Sequence, residues 1–459
     1  MHLYDTLLTA SSLSRIVVVG GGAAGASAAS RAKRVDPGAE VYLIEATDMI
    51  THGPCGIPYV ISGIIDRSRL VVYTPEVFEK ERGIRVLINS RVVDIDVDKR
   101  IVEVYRNKRF EKLKWDKLIL ATGALPRVPG IPGISLDNVI TIRHPAYADE
   151  IVKALNAKNV IAVVGGSYLG IEIVEGLLER GKKVLLFEMF NHLLPASIDE
   201  DMASIVEGEI VSKGVELHLS EKLVEIKGRS RAESIVTNKG EYRVDAVILA
   251  TGVRPNIELA KGIGLRIGET GAVEVNEYME TSIEDIYAAG DLVEKYHRVL
   301  NKKVWIPLAP SANKEGLVAG ANAVKHRFLK FPGIVGTAIT KFYDLIIART
   351  GLTENEAKQH NIHYEAKVIK ARTKAHYYPG ATEVHVKLIV EKSAGKVIGA
   401  QIIGKDHIVA GYVDIASVAI ERGMTIEELF FSDLSYMPAT APVWHPLIVA
   451  SRVLSKGKL

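Results

Sequence analysis

Among 459 residues one thiol occurs, Cys55, set in His52-Gly53-Pro54-Cys55-Gly56-Ile57-Pro58-Tyr59. A chain with one cysteine cannot close an internal disulfide. Redox chemistry at Cys55 therefore needs an external partner, a small thiol or a sulfur species, or oxidation of the thiol to its sulfenic acid. An isolated cysteine is ordinarily a small buried hydrophobe. Here the thiol follows, ten residues on, Glu45, an acid that closes a dinucleotide-binding pattern. Pro54 and the apolar run from Ile57 to Ile61 predict a helix that Cys55 opens, and a helix N-terminus favours a thiolate.

The elements that must position Cys55 come in two copies. The first reads Arg15-Ile16-Val17-Val18-Val19, then Gly20-Gly21-Gly22-Ala23-Ala24-Gly25, a small-residue helix to Lys33, and a second strand from Glu40 to Ile44 ending in Glu45. The second reads Val160-Ile161-Ala162-Val163-Val164, then Gly165-Gly166-Ser167-Tyr168-Leu169-Gly170, a helix to Arg180, and a strand from Lys183 to Phe187 ending in Glu188. In such a unit the first glycine permits the tight turn, the second lets the backbone approach a pyrophosphate, and the third lets helix and strand pack closely. The helix N-terminus offers free N–H groups to the phosphates, and the closing acid accepts from a ribose hydroxyl. One such fingerprint is weak; two, each with its acid, define a duplicated dinucleotide-binding architecture. Ser167 in place of the middle glycine weakens the second copy slightly. Each unit then has a buried strand ending in Ala-Thr-Gly, at Ala121-Thr122-Gly123 and at Ala250-Thr251-Gly252, followed by a proline-rich connection. Ile286 to Asp291 reads as a strand ending in Gly290-Asp291.

The remaining composition bounds the answer. Hydrophobic content is 47%, charged content 25% and net charge +3, so nothing suggests nucleic-acid or membrane-surface binding. No apolar run approaches the ~18 residues of a membrane span. Met1 to Ser14 lacks a basic stretch and cleavage site and reads as an extension rather than a signal peptide. A single cysteine suits a reducing cytoplasm. The histidines show no metal-ligand spacing, and no metal is expected. From about Phe331 alternating strands (Glu383 to Val390, Val397 to Ile403) and helices (Val409 to Glu421) indicate a separate α+β domain. The expected fold class is α/β: two Rossmann-like dinucleotide-binding domains plus a C-terminal α+β domain. The expected boundaries are an extension over 1–14, a discontinuous first domain over 15–145 and 255–330, a second over 146–254, and the last over 331–459.

From Arg15 onward the chain resembles the flavin-dependent pyridine nucleotide–disulfide oxidoreductases. The resemblance implies that the first unit binds FAD, the second NADH (with NADPH possible), and that residues 331–459 form the dimerisation domain of a homodimer, with dimers that could pair into tetramers. Two-cysteine members carry Cys-x4-Cys; here the second position is Val60, which excludes that chemistry. The peroxidase branch has a histidine where this chain has Ala23. Cys55-Gly56-Ile57-Pro58-Tyr59 most resembles the coenzyme A disulfide reductases, including members that oxidise NADH. Tyr436-Met437-Pro438-Ala439-Thr440-Ala441-Pro442-Val443-Trp444 resembles the same branch, departing from it at Met437, Ala439 and Thr440. His445 stands where the branch often has an acid before proline.

Carried over residue by residue, the resemblance implies FAD contacts at Gly20, Gly22, Ala23, Ala24, Glu45, Ala121, Thr122, Gly123, Arg143, Asp291 and Ala309. It implies nicotinamide-nucleotide contacts at Gly165, Ser167, Tyr168, Leu169, Gly170, Glu188 and Gly252. Coenzyme A contacts would be Ser27, Arg31, Arg34, Thr51, Arg82, Asn313 and Trp444. Ser27, Arg31 and Arg34 share one helix face, where guanidinium groups could pair with nucleotide phosphates. Tyr377 (or its neighbour Tyr378) and Tyr436 would reach the partner's thiol and could protonate a leaving thiolate. Glu188 suits a free 2′-hydroxyl and repels a 2′-phosphate, which favours NADH. The implied activity is reduction of coenzyme A disulfide through a Cys55–S–S–CoA mixed disulfide, with NADH oxidation by O₂ as a side activity. The alternatives are an NADH oxidase and a coenzyme A-dependent sulfur or polysulfide reductase. A reading from another class, an electron-transfer or redox-sensing flavoprotein serving a protein partner, would need no reactive cysteine.

Overall fold

The computed structural model describes residues 14–456; the expected extension over 1–14 lies outside them except for Ser14. Strand Arg15–Val19 pairs in parallel with Glu40–Ile44 on one side and Lys117–Leu120 on the other, and Arg85–Leu87 and Ile286–Ala288 complete a five-stranded sheet. Strand Val160–Val164 is flanked in the same way by Lys183–Phe187 and Ala246–Leu249, with Glu216–His218 and Val139–Thr141 at the edges. Ile16 to Val19 and Ile161 to Val164 are buried, which is why these strands read as unbroken apolar runs: both sheet faces are covered. Each glycine turn lies at the carboxyl end of its central strand, where strand order reverses and ligands of such sheets bind. The strand Val139–Thr141 precedes residue 146, the expected start of the second unit, yet belongs to the second sheet. Three residues carry too little periodicity to declare that.

Helix Ala23–Val35 buries Ala24, Gly25, Ala26, Ala28, Ala29 and Ala32. That small-residue face lets helix Ala309–Val324 press its backbone onto it: a Cβ at Gly316 or Gly320 would overlap the carbonyl oxygens of Ala24 and Ala28. A segment nearly 290 positions away in sequence thereby sets Asn313 beside Ser27, with the Ser27 hydroxyl donating to Asn313 Oδ1 at 2.8 Å. The chain crosses between the two units twice, and the crossings pair as antiparallel strands, Ala124–Pro126 with Val253–Pro255.

The last region is an antiparallel sheet in the order Ala338–Phe342, Leu345–Gly351, Val397–Gly404, Glu383–Glu391, Tyr364–Arg372. Helices Ile408–Arg422 and Pro446–Leu454 pack on it around a separate core that includes Tyr412, Val413, Leu447 and Leu454. It docks against the second unit through polar contacts: the Thr340 hydroxyl donates to Glu172 at 2.7 Å and Lys341 pairs with Glu175. Among the described residues no helix is long and apolar enough to cross a membrane.

Candidate active site

Cys55 lies in the 3₁₀ turn Pro54–Gly56, which runs into the six-residue helix Ile57–Ser62. Pro58 explains the geometry. It has no N–H and is tolerated only in a first helical turn, so the α-helix begins at Ile57 and leaves Cys55 outside it. The turn is held from below: Gly53 N–H donates to the Leu70 carbonyl at 2.8 Å, and a Cβ on Gly56 would overlap Leu70. Helix Ile57–Ser62 rests on helix Tyr168–Glu179, where Gly176 brings its Cα side to the Pro58 carbonyl. The site therefore joins the first unit to the second.

The Cys55 residue is exposed, yet the protein crowded around its open side pushes the thiol up; the Glu172 carboxylate adds to this, and the Arg143 guanidinium opposes it. This corrects the expectation of a lowered thiol pKa. A single 3₁₀ turn before a six-residue helix supplies little dipole, and the Glu172 carboxylate works against the thiolate. Glu172 itself is pushed up by burial, with its hydrogen bond from Thr340 acting the other way. Arg143 pairs with Asp291 at 2.8 Å and donates through Nε to the Ala124 carbonyl. Cys55, Glu172, Arg143 and Asp291 are thus close enough to shape one another's charge.

The dinucleotide turns fit the groups expected of them. Gly20 and Gly165 have φ of 109° and 110°, and a Cβ on either would overlap a carbonyl oxygen, Ala121 and Ala250 respectively. Gly25 and Gly170 touch the carbonyls of Gly20 and Gly165 in the same way. Gly22 differs: its φ is −73°, and a Cβ there would meet nothing nearer than His52 Cε1 at 3.9 Å. Space, not backbone strain, is what a glycine supplies at that position, which explains how Ser167 stands at its counterpart with φ −85°. Glu45 accepts from Gly21 N–H and Thr47 N–H, each at 2.8 Å. Glu188 repeats this with Gly166 at 2.8 Å and Phe190 at 2.9 Å. Thr122 is tied to Asn256 by two hydrogen bonds. Ala23 and Ala24 start the first helix, Tyr168 and Leu169 the second, and Ala309 the third. Gly123 and Gly252, both at positive φ, end the two Ala-Thr-Gly strands.

Of the residues expected at coenzyme A, Ser27 and Asn313 meet as above. Arg31 and Arg82 each have a buried Nε without a hydrogen-bond partner, and Arg34 is exposed. Arg82 stacks over the Tyr73 ring at 5.3 Å and donates to its hydroxyl at 3.1 Å. Thr51, at φ 48°, is a hub of this region. Its N–H donates to Gly21, and its hydroxyl both donates to and accepts from the Tyr73 backbone. Two buried guanidinium nitrogens without partners, Arg31 on helix Ala23–Val35 and Arg82 at the end of helix Pro75–Arg82, suit an anionic nucleotide. Tyr377 and Tyr436 are exposed, and their hydroxyls lie 3.2 Å apart. An Ala375 N–H to Pro438 carbonyl bond joins their two loops. Trp444 stacks on Phe430 and carries Arg452 over its face at 5.3 Å. Among the described residues none of these three side chains is hydrogen-bonded to the Cys55 turn of its own chain.

Sequence reasoning missed several groups. Glu172 and Glu175 stand in an otherwise apolar helix stretch, and acids on a buried face were the available signal. Lys295 and Glu315 form a buried pair at 3.0 Å, and Glu315 also accepts from Gly290 N–H, bracing the turn that carries Asp291. Asp199, Asp201 and Glu354 converge within 4.8 Å, and Lys387 fills their centre.

Two dinucleotide units on duplicated sheets, a single thiol at their junction and a third domain define a two-nucleotide oxidoreductase scaffold. The chain belongs to the pyridine nucleotide-disulphide oxidoreductase family: that family matches residues 14–316, and its dimerisation domain matches residues 337–447. It is an FAD-dependent NAD(P)H oxidoreductase. An NAD(P)H coenzyme A polysulfide/persulfide reductase of Pyrococcus horikoshii is 44% identical over 443 residues, covering 96% of this chain and 98% of the relative. The solved structure of an NAD-dependent persulfide reductase from A. fulgidus superposes with TM-score 0.93 at 37% identity, over 96% of this chain and 83% of that one. An NADH oxidase of Methanocaldococcus jannaschii is 38% identical over 95% of this chain and 98% of the relative. A coenzyme A disulfide reductase of Staphylococcus aureus is 28% identical over 97% of this chain and all of the relative.

Proposed function

We propose that this protein is a coenzyme A-dependent NAD(P)H polysulfide/persulfide reductase acting as a homodimer through Cys55. The observation that carries the reading is a single cysteine, exposed in the turn Pro54–Gly56, in a chain that also leaves two buried arginine Nε atoms, those of Arg31 and Arg82, without partners. Full-length similarity to a coenzyme A polysulfide/persulfide reductase supports it. Reduction of coenzyme A disulfide, the activity implied by the Cys55 motif, is the second reading. Disulfide and persulfide present the same coenzyme A group to Cys55 and differ only in the leaving group, RS⁻ or HS⁻. No residue of the Cys55 motif selects between them.

In the persulfide reaction the Cys55 thiolate attacks the coenzyme A-side sulfur of CoA–S–SH. The Cys55–S–S–CoA bond forms as the terminal S–S bond breaks and HS⁻ leaves. Two electrons and a proton from NAD(P)H and solvent then cleave the mixed disulfide to the Cys55 thiolate and free CoA–SH. The sum is CoA–S–SH + NAD(P)H + H⁺ giving CoA–SH + H₂S + NAD(P)⁺. FAD, when bound, supplies the hydride acceptance and electron relay. Glu188 would hold the adenosine ribose of the nicotinamide nucleotide, the Gly53–Leu70 bond holds the turn that carries the thiol, and Arg31 and Arg82 would orient coenzyme A. Tyr377 and Tyr436 would come from the partner subunit to protonate the departing sulfur.

The test follows sulfide release from polysulfide by the FAD-loaded enzyme with NADH, with and without coenzyme A, beside rates on coenzyme A disulfide and O₂. Sulfide release that needs coenzyme A and falls at least about 100-fold in Cys55→Ser is expected. Release indifferent to both would sink the proposal. A kcat/KM on coenzyme A disulfide well above that on polysulfide would reinstate the disulfide reading.

A further inference from the structure

His52 lies three residues before Cys55, and neither the mechanism above nor the expected contacts use it. Its segment is stitched to the first glycine turn, because Thr51 N–H donates to the Gly21 carbonyl at 2.8 Å, and His52 itself bridges Val71. The ring packs edge-on against His144 with centroids 4.2 Å apart. His144 cannot serve as its hydrogen-bond partner. His144 Nδ1 accepts from Ala146 N–H at 3.1 Å, which places the His144 proton on Nε2, and Nε2 lies 3.5 Å from Thr47 Oγ1, which is itself bonded to Glu45. His52 Nδ1 is consequently shielded from solvent with no partner. The other edge of the ring, Cε1 and Nε2, faces Gly22, lying 3.9 and 4.0 Å from where a Cβ would stand.

Gly22 is the turn position whose only requirement is open space, and the chemistry that fills it in a dinucleotide unit is a diphosphate. A neutral imidazole has one N–H donor and one lone pair, and burial with His144 and Arg143 nearby keeps His52 neutral, its pKa pulled down to about 3. We propose that His52 is a cofactor-positioning residue whose Nε2–H donates to the diphosphate of FAD beside Gly22, coupling the cofactor's seat to the turn that carries Cys55. Nδ1 then carries the lone pair and stays buried within the protein. The inference rests on FAD as the cofactor and is independent of which sulfur species is reduced.

The experiment removes FAD from the full chain and titrates it back, reading flavin fluorescence quenching and the ³¹P resonances of bound FAD, for wild type, His52→Phe and His52→Gln. Phenylalanine keeps the ring and its packing but has no nitrogen; glutamine restores an N–H donor. The expected result is an FAD Kd about tenfold higher in His52→Phe, displaced ³¹P resonances, and recovery of most of the loss in His52→Gln. Unchanged Kd and ³¹P resonances in His52→Phe would overturn the proposal. So would equal weakening in both variants, since that would make ring shape the cause. Should the phenylalanine variant fail to fold, ¹⁵N-histidine spectra of the wild type decide. A His52 Nε2–H signal that moves on adding FAD supports the contact, and one that stays put refutes it.

Discussion

Cys55 keeps its proton in the protein alone for reasons that sit in its neighbours. Crowding by protein is the largest influence and Glu172 the next, with Arg143 pulling the other way. Thiolate attack therefore accelerates with rising pH until the elevated pKa is passed. Glu172→Gln removes the opposing charge while keeping an acceptor for Thr340. The Cys55 pKa should fall, visible as a lower midpoint in the pH dependence of iodoacetamide alkylation; an unmoved midpoint would mean the thiol does not feel that carboxylate. Glu188 is the matching case for the nucleotide. Its two oxygens already accept from Gly166 and Phe190, and if it holds the ribose as proposed, its charge is what a 2′-phosphate would meet. Glu188→Gln keeps the acceptor and removes the charge, and the KM for NADPH should fall several-fold with little change in kcat. Should that KM stay where it is, another residue sets the preference.

Elements show which parts of the site could be read in advance and why. The two central strands were legible because burial on both faces makes them unbroken apolar runs, and the glycine turns because their spacing is dictated by close backbone contact. The start of the Cys55 helix was misplaced although its signal was present: Pro58 has to fall in the first turn. The approach of helix Ala309–Val324 to helix Ala23–Val35 was not legible, since small residues permit close packing without naming a partner. His445 has a local explanation that emerges only in the structure. It is the N-cap of helix Pro446–Leu454, its Nδ1 accepting from Leu447 N–H at 3.2 Å. An acid before proline can cap in the same way, so the histidine preserves an acceptor. His445 is buried, and burial pulls its pKa down to about 4. Because the folded pKa lies below the unfolded 6.5, the unfolded chain binds the proton more readily. The contribution is complete above pH 6.5 and is lost as pH falls toward 4. His445→Ala should cost about 1 kcal/mol at pH 7 through the lost cap and flatten the loss of stability between pH 6.5 and 4. His445→Asn should restore most of the cap. Thermal unfolding across that window checks both, and an alanine variant as acid-sensitive as wild type would contradict the argument.

At the scale of the whole molecule, the second unit must be held against the dimerisation region if Cys55, Glu172 and a partner's tyrosines are to share one site. The clearest fastening is Lys387, almost fully buried on strand Glu383–Glu391. Its ammonium lies 3.1 Å from Asp199, 2.7 Å from Asp201 and 2.5 Å from Glu354. Gln401 holds Asp199 from both sides, donating to its carboxylate at 2.6 Å and accepting its N–H at 2.9 Å. None of this was visible in sequence, because the four charged residues come from three separate segments and only the tertiary docking gathers them. These partners raise the Lys387 pKa against the opposing effect of burial, so the cation persists at neutral pH and its contribution fades only above its ordinary value of 10.5. Lys387→Met leaves three carboxylates facing one another with no cation between them. Breaking such a group on one side costs about 3–5 kcal/mol when it is fully buried, and the half-exposed Asp201 argues for the lower end. The pH dependence separates this cause from lost packing. Without the lysine the crowded carboxylates bind protons more readily in the folded state than in the unfolded one, so acid relieves the strain. The Tm gap between wild type and Lys387→Met should therefore be widest near pH 7 and narrow as pH falls toward 5. A gap that is constant with pH would mean that packing, not charge, is what Lys387 supplies.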